Sequence, residues 1–162
     1  MKIQGIMAAA LAILAACGVA HADNEKDKAE ILKMEQVLAN APNLQVAMQW
    51  HDPNVICYDW ERGIFKGYDA VKKHFAGLFA EVPSADVKIE DISIETDGQL
   101  AVANSVQHVV AKDAKTGKVT LDAVFRTTDA YHRVNGKWLL FSQHNSFPIE
   151  LATGKAVISP TP

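Results

Sequence analysis

Cysteine is almost absent: the 162 residues hold two, Cys17 and Cys57. Cys17 lies in the opening stretch MKIQGIMAAALAILAACGVAHA, where Lys2, an apolar run and the small-x-small ending Ala20-His21-Ala22 read as an export signal at residues 1–22. With that segment removed only Cys57 remains, so no internal disulfide can form even in an oxidising compartment. Cys57 sits in the run Val55-Ile56-Cys57-Tyr58 with no Lys, Arg or His beside it, the setting of a buried structural thiol. Excess positive charge is also missing. The net charge is −3, and loss of Lys2 with the signal makes it −4, so nothing recommends nucleic acid or an anionic membrane surface as partner.

No apolar run outside the signal is long enough to span a membrane, and the signal itself is short and alanine-rich. An alternative processing route stays open, because Leu14-Ala15-Ala16-Cys17 resembles a lipobox, in which the cysteine is acylated and becomes the new N-terminus. Either route implies a periplasmic or secreted protein, free or lipid-anchored through Cys17. The rest is long enough for one domain with a real core and too short for two. The expected division is an export signal at 1–22, a folded domain at 23–150 and a flexible tail at 151–162 ending in ISPTP.

Catalytic and metal-binding signatures are scarce. Five histidines follow the signal (51, 74, 108, 132 and 144), none paired at i, i+4 on a helix or i, i+2 on a strand, so neither a metal nor another cofactor is expected. Ser146 and His144 lack the nucleophile elbow of a hydrolase. No repeat or low-complexity segment occurs.

What is present is a change of character along the chain. Residues 24–41 place Ile31, Met34, Leu38 and Ala41 at helical spacing, and Pro42 closes the run. A short helix is expected from Asn43 to Trp50, a strand from Val55 to Asp59, and a third helix carrying Val71, Phe75, Leu78 and Phe79 up to Pro83. From Val87 to Ile149 four long strands are expected, separated by Thr96-Asp97-Gly98, Lys115-Thr116-Gly117 and Asn135-Gly136, the last a strong hairpin signal. Alternation in VKIEDISIE slips at Asp91, which predicts a bulge and a bent sheet. Helices first and antiparallel strands after make an α+β domain with helices on one face of a curved sheet.

The last strand, WLLFSQHNSFP, runs from apolar into polar residues. Strict alternation puts Trp138, Leu140, Ser142, His144 and Ser146 on one side and Leu139, Phe141, Gln143, Asn145 and Phe147 on the other. The first of these faces is apolar at its start and polar at its end, as in a pocket wall or in a strand leaving the core. In LAVANSVQHVV one parity gives Asn104 and His108 among apolar residues. Arg126 would hold a carboxylate if it faced inward and would be a surface charge if outward. Trp50, Trp60, Phe65, Phe75 and Phe79 read as core or pocket lining.

The pattern His132-Arg133-x-Asn135-Gly136-Lys137-Trp138 followed by His144-x-Ser146 resembles the closing hairpin of the nuclear transport factor 2-like superfamily. That superfamily includes SnoaL-like polyketide cyclases, ketosteroid isomerases and the association domain of calcium/calmodulin-dependent protein kinase II. Arg126-x-Thr128 and the passage from Tyr58-Asp59 to Phe65-Lys66-Gly67 resemble its members too, although Ser142 stands where SnoaL-like proteins often carry a first histidine. The similarity covers residues 28–150. It implies a cone-shaped curved antiparallel sheet wrapped around three N-terminal helices, a mainly apolar pocket for a small organic molecule, and a homodimer through the outer face of the sheet. It also implies inward positions for Asn104 and His108, and puts Asp59 close to the general base of ketosteroid isomerases. Two functions follow. In one the pocket binds a small, mostly apolar ligand without a defined reaction. In the other an isomerase, cyclase or dehydratase uses Asp59 as base with His108 and His144 as catalytic partners, while Tyr58, Asn104, Arg126 and Ser146 contact the ligand. Against the second stands the first helix, DKAEILKMEQVLAN, which has no tyrosine where the isomerases carry theirs.

Overall fold

The computed structural model describes residues 24–60, 63–82, 85–113 and 115–158, and the expected export signal and Cys17 lie outside them. Helix α1 spans 24–39. Helix α2 (Leu44–Met48) begins where the Asn43 side chain accepts the Val46 N–H at 3.0 Å, satisfying one of the amides a helix start leaves free. Strands β1 (His51–Tyr58) and β2 (Ile64–Lys66) form a hairpin, and Gly67, at φ 85°, turns the chain into α3 (Tyr68–Glu81). Four long strands follow: β3 (Ala85–Thr96), β4 (Leu100–Lys112), β5 (Val119–Val134) and β6 (Lys137–Ser146). The β5–β6 turn has Asn135 at φ 51° and Gly136 at φ 78°, the left-handed pair that Asn-Gly favours.

The six strands form one curved sheet in the order β2-β1-β6-β5-β4-β3, antiparallel except where β1 runs parallel to β6. Three irregularities interrupt the ladders of the long strands, one of them at the far end of β4 and β5, where Ala111 faces Leu121 and Lys112 faces Val119. Ile89 faces Gln107 and Asp91 faces Val106, leaving Glu90 as the extra residue where the alternation slipped. In β6, Leu140 faces Tyr131 and Ser142 faces Ala130, leaving Phe141 unmatched. A bulge bends its strand and reverses the facing of everything beyond it.

The inner face of the sheet is covered by the helices. Ile31 and Met34 of α1 pack on Ala101, Ala103, Tyr131, Trp138 and Leu140, and the alanines of β4 let the helix come close. A second cluster joins Met48 and Val71 to Val55 and Cys57, which confirms the buried thiol. A third groups Val109, Ala123 and Phe125 with Trp60 and Phe147 at the other end. Part of the expected tail is paired, as far as residue 158. Strands β7 (Ile149–Glu150) and β8 (Lys155–Ala156) make a small hairpin, and the chain then returns to the sheet, where the Val124 N–H bonds the Ile158 carbonyl at 3.3 Å and the Val157 N–H bonds that of Pro148 at 2.8 Å. Backbone pairing of this kind holds a segment whose composition alone reads as loose.

Leu140 is wholly buried beside Trp138, so Leu140→Ala is expected to lower the unfolding free energy by about 2–5 kcal/mol in denaturant titration. Deleting Phe141 should remove the bend while leaving Gln143 and Asn145 facing inward, because the alternation on the two sides of the extra residue is then already in phase. A loss of unfolding free energy larger than that of Leu140→Ala would show that the bend itself is needed to close the sheet over the helices.

Candidate functional site

Where the three clusters meet, a cavity of about 220 Å³ lies between the helices and the inner face of the sheet. Its apolar wall comes from Leu38 and Ala39 of α1, Ala47 of α2, Phe75 and Leu78 of α3, Trp60 after β1, and Val87 and Phe125 of the sheet. Its polar wall comes from Glu35, His51, Asp59, Gln107, Thr127, Asp129, Gln143 and Asn145.

Asp59 stands at the end of β1, with its side chain 4% exposed. Its Oδ1 accepts the Trp60 N–H at 2.9 Å, and its Oδ2 lies 2.7 Å from His74 Nε2. The imidazole of His74, on α3, is stacked flat on Phe65, with ring centroids 3.9 Å apart and planes within 12°. An aromatic clamp on one side and a carboxylate on the other fix the ring's orientation.

Across the same cavity a second carboxyl group comes from each of two elements. Glu35 projects from α1 and Asp129 from β5, each 2% exposed, and the two carboxyl groups lie against each other. Burial raises both, Asp129 the further because the Glu35 charge adds to it. Two such groups side by side disfavour ionising together, so a proton belongs to the pair. The Tyr131 hydroxyl donates to Glu35 Oε1 at 2.6 Å, and burial pushes its own ionisation well up, so it stays a donor. Gln143 Nε2 donates to Asp129 Oδ2 at 3.2 Å. The Cys57 thiol, pushed up to about 12 by burial, lies 3.7 Å from Gln143 Oε1 and remains protonated. Deeper in the polar wall, Thr127 Oγ1 donates to Asn145 Oδ1 at 2.9 Å. His51, which packs edge-on to Phe75, is 6% exposed with neither ring nitrogen bonded, and burial lowers it to about 4.

Of the residues expected at the site, Asp59 reaches this cavity and the others do not line it. In β4 the buried parity is Ala101, Ala103, Ser105 and Gln107, so Asn104 and His108 face outward, the reverse of the expectation. Asn104 Oδ1 accepts from Thr128 Oγ1 at 2.8 Å on that outer face, and His108 pairs with Asp122 at 2.7 Å, a surface ion pair of small value. Arg126 is exposed, which settles its facing as outward. His144 is exposed and Ser146 half-buried, both beyond the Phe141 bulge, which turns Gln143 and Asn145 to the cavity instead. Tyr58, 40% exposed, meets the His144 ring edge-on.

Five polar groups at or beside the cavity escaped the sequence reading: Glu35, His51, His74, Asp129 and Tyr131. Glu35 sits four residues after Ile31 on the apolar stripe of α1, and His74 three after Val71 on that of α3. An ionisable residue inside a helix's buried stripe is the signal that would have found them. Asp129 shares its strand parity with Phe125, Thr127 and Tyr131, another such mark.

Among the described residues no group of three or more His, Cys, Asp or Glu side chains is arranged to hold a metal, and no helix is long and apolar enough to cross a membrane. Helices seated on the inner face of a curved sheet, with a mixed polar and apolar cavity between, define an α+β domain of the nuclear transport factor 2-like type. The chain belongs to the SnoaL-like domain family, whose model matches residues 34–150. Solved structures with this fold include an NTF2-like protein of unknown function from Pseudomonas putida KT2440, 19% identical over 88% of this chain and 98% of that one, with a TM-score of 0.72. A proposed dehydratase of the NTF2-like family from Streptomyces avermitilis is 14% identical over 76% and 97%, with a TM-score of 0.69. The association domain of CaMKII from C. elegans is also 14% identical over 76% and 97%, with a TM-score of 0.61. No curated protein matches the chain in sequence.

Because folded His51 resists protonation down to about 4 while an unfolded histidine takes its proton near 6.5, its contribution to stability is complete above 6.5 and is lost as pH falls through that window. His51→Leu should therefore flatten the stability profile between those values by up to about 1.4 kcal/mol per pH unit, measured by urea unfolding at several pH values. Parallel profiles for parent and variant would mean that the ring is charged inside the fold.

Proposed function

We propose that the cavity binds a small organic molecule with a mainly apolar body and carries out cofactor-independent acid/base chemistry on it, of the isomerase or dehydratase kind. Asp59 is the base and His74 its positioning partner. The single observation that carries this reading is the buried Asp59 carboxylate, 2.7 Å from His74 and opening on a cavity whose far wall holds a second, proton-bearing carboxyl pair. A hydrogen-bonded carboxyl group on one side of a cavity and a carboxyl pair that holds a proton on the other are what proton removal and return require. The aromatic and aliphatic wall excludes water and seats the body of the ligand. The proposed dehydratase from Streptomyces avermitilis shares this fold, which is compatible with such chemistry without assigning it.

Binding without turnover is the competing outcome, and one experiment separates the two. Small ketones are screened with the purified protein in heavy water, following deuterium uptake next to the carbonyl by NMR. Wild type should accelerate exchange for a ligand that fits, and Asp59→Asn should slow it about 100-fold or more while binding persists. Exchange that survives the Asn substitution removes Asp59 as base, and binding with no exchange in wild type leaves a pure binding module.

The same reading includes export, supported by residues 1–22, and self-association through the outer face of the sheet, supported by Leu100, Val102 and Val134 exposed there. Expression in a bacterium with a labelled fatty acid tests the processing route. Soluble, unlabelled periplasmic protein agrees with cleavage after Ala22, whereas label that disappears in Cys17→Ser assigns a lipid anchor.

A further inference from the structure

The charge of the cavity wall has one sign. Glu35, Asp59 and Asp129 bring carboxyl groups to it, and among the described residues no lysine or arginine lines it. The His74 imidazole beside it is already bonded to Asp59. The Glu35–Asp129 pair is met by the Tyr131 hydroxyl and the Gln143 amide, both uncharged donors, and among the described residues no cation lies against its negative charge. A second, independent feature points to a missing partner. His51 is almost wholly buried at the same wall, with both Nδ1 and Nε2 unbonded. A neutral imidazole there offers one N–H and one lone pair on opposite edges of the ring, so a small occupant that reaches either has to bring the matching acceptor or donor. Buried polar groups are rarely left without partners, and two on one ring mark the place of a polar ligand end.

Resting on the reading of this cavity as a ligand site, we propose that the ligand is a small organic cation: a protonated primary amine, with a hydroxyl or carbonyl oxygen nearby, on a short hydrocarbon body. Its ammonium group bonds the Glu35 and Asp129 carboxyls. One edge of the His51 ring meets the ligand's polar end, its N–H donating to the ligand oxygen or its lone pair accepting the ligand's O–H. The hydrocarbon lies against Trp60, Phe75 and Phe125, whose π-faces favour a nearby positive charge. A cation beside the pair favours ionisation of both carboxyls, so binding expels the shared proton. An anionic ligand meets like charge on the polar wall. A neutral one fills the same space and gains none of this. The cavity volume, about 220 Å³, lies below the roughly 300–1,000 Å³ of drug-sized pockets and fits a body of one ring.

Three ligands of one shape test the assignment: 2-amino-1-phenylethanol as the cation, 1-phenylethane-1,2-diol as the neutral form and mandelate as the anion. Each is titrated into the full chain at pH 7 by calorimetry. The amine is expected to bind at least ten times more tightly than the diol, mandelate not at all, and the amine's heat should vary with the buffer's ionisation enthalpy as protons are released. Glu35→Gln should reduce the preference for amine over diol at least tenfold. Should that variant fail to fold, proton release in the wild type decides. Diol or mandelate binding as tightly as the amine, or amine binding without proton release, overturns the charge assignment and leaves the cavity a ligand site. If none of the three binds or displaces a ketone found by deuterium exchange, the amine class is excluded. If no ketone binds either, the ligand-site reading falls with it.

Discussion

Side chains alternate across a strand, so one extra residue reverses the facing of everything after it, and Phe141 is that residue in β6. Before it, Trp138 and Leu140 seal the core against α1. After it, Gln143 and Asn145 turn inward and His144 turns out. Without the bulge the cavity would hold an imidazole and a hydroxyl. With it the cavity holds two amides, one steadying Asp129 and the other accepting from Thr127. The character of the polar wall therefore depends on a ladder irregularity of one residue.

That wall is costly to maintain. Removing carboxyl groups from water disfavours their charged form, and the fold answers differently at its two acidic positions. Asp59 is satisfied by a backbone N–H and an imidazole. Glu35 and Asp129 lie against each other, with Tyr131 bonding Glu35 and Gln143 bonding one oxygen of Asp129. Such networks are tolerated only when their members are bonded, which is why His51 and the remaining Asp129 oxygen, Oδ1, stand out as groups awaiting something. The three apolar clusters around the cavity supply the packing that offsets this burial of polar groups.

Fold and chemistry are separable in this molecule. The curved sheet with its helices recurs in structures less than a fifth identical to it, among them an association domain and a proposed dehydratase. Shared architecture with unshared lining residues is what a scaffold hosting many functions looks like. The functional reading accordingly rests on which side chains this chain turns inward.

The order of the three helices and of five of the six sheet strands, the Asn135-Gly136 hairpin, the Glu90 bulge implied by the slip at Asp91 and the buried Cys57 were legible in the sequence, because each depends on local propensity or short-range periodicity, whereas β2 lies in a stretch that reads as a loop between Gly63 and Gly67. Asp59 was a candidate because the resemblance puts it close to the general base of ketosteroid isomerases, while its local setting alone reads as a turn. Strict alternation misplaced Asn104, His108, His144 and Ser146. In β6 the Phe141 bulge breaks alternation with no local mark, and in β4 both parities look half apolar, Val102, Val106 and Val110 against Ala101, Ala103 and Val109. The pairing of Glu35 with Asp129, and of His74 with Asp59, joins residues from different elements, and only the closing of helices over the sheet brings them within bonding distance. Sequence by itself determined the elements and their turns, since those are settled over a few residues. Tertiary structure alone decided the face each polar group took and the partner it met, because both follow from long-range register and packing.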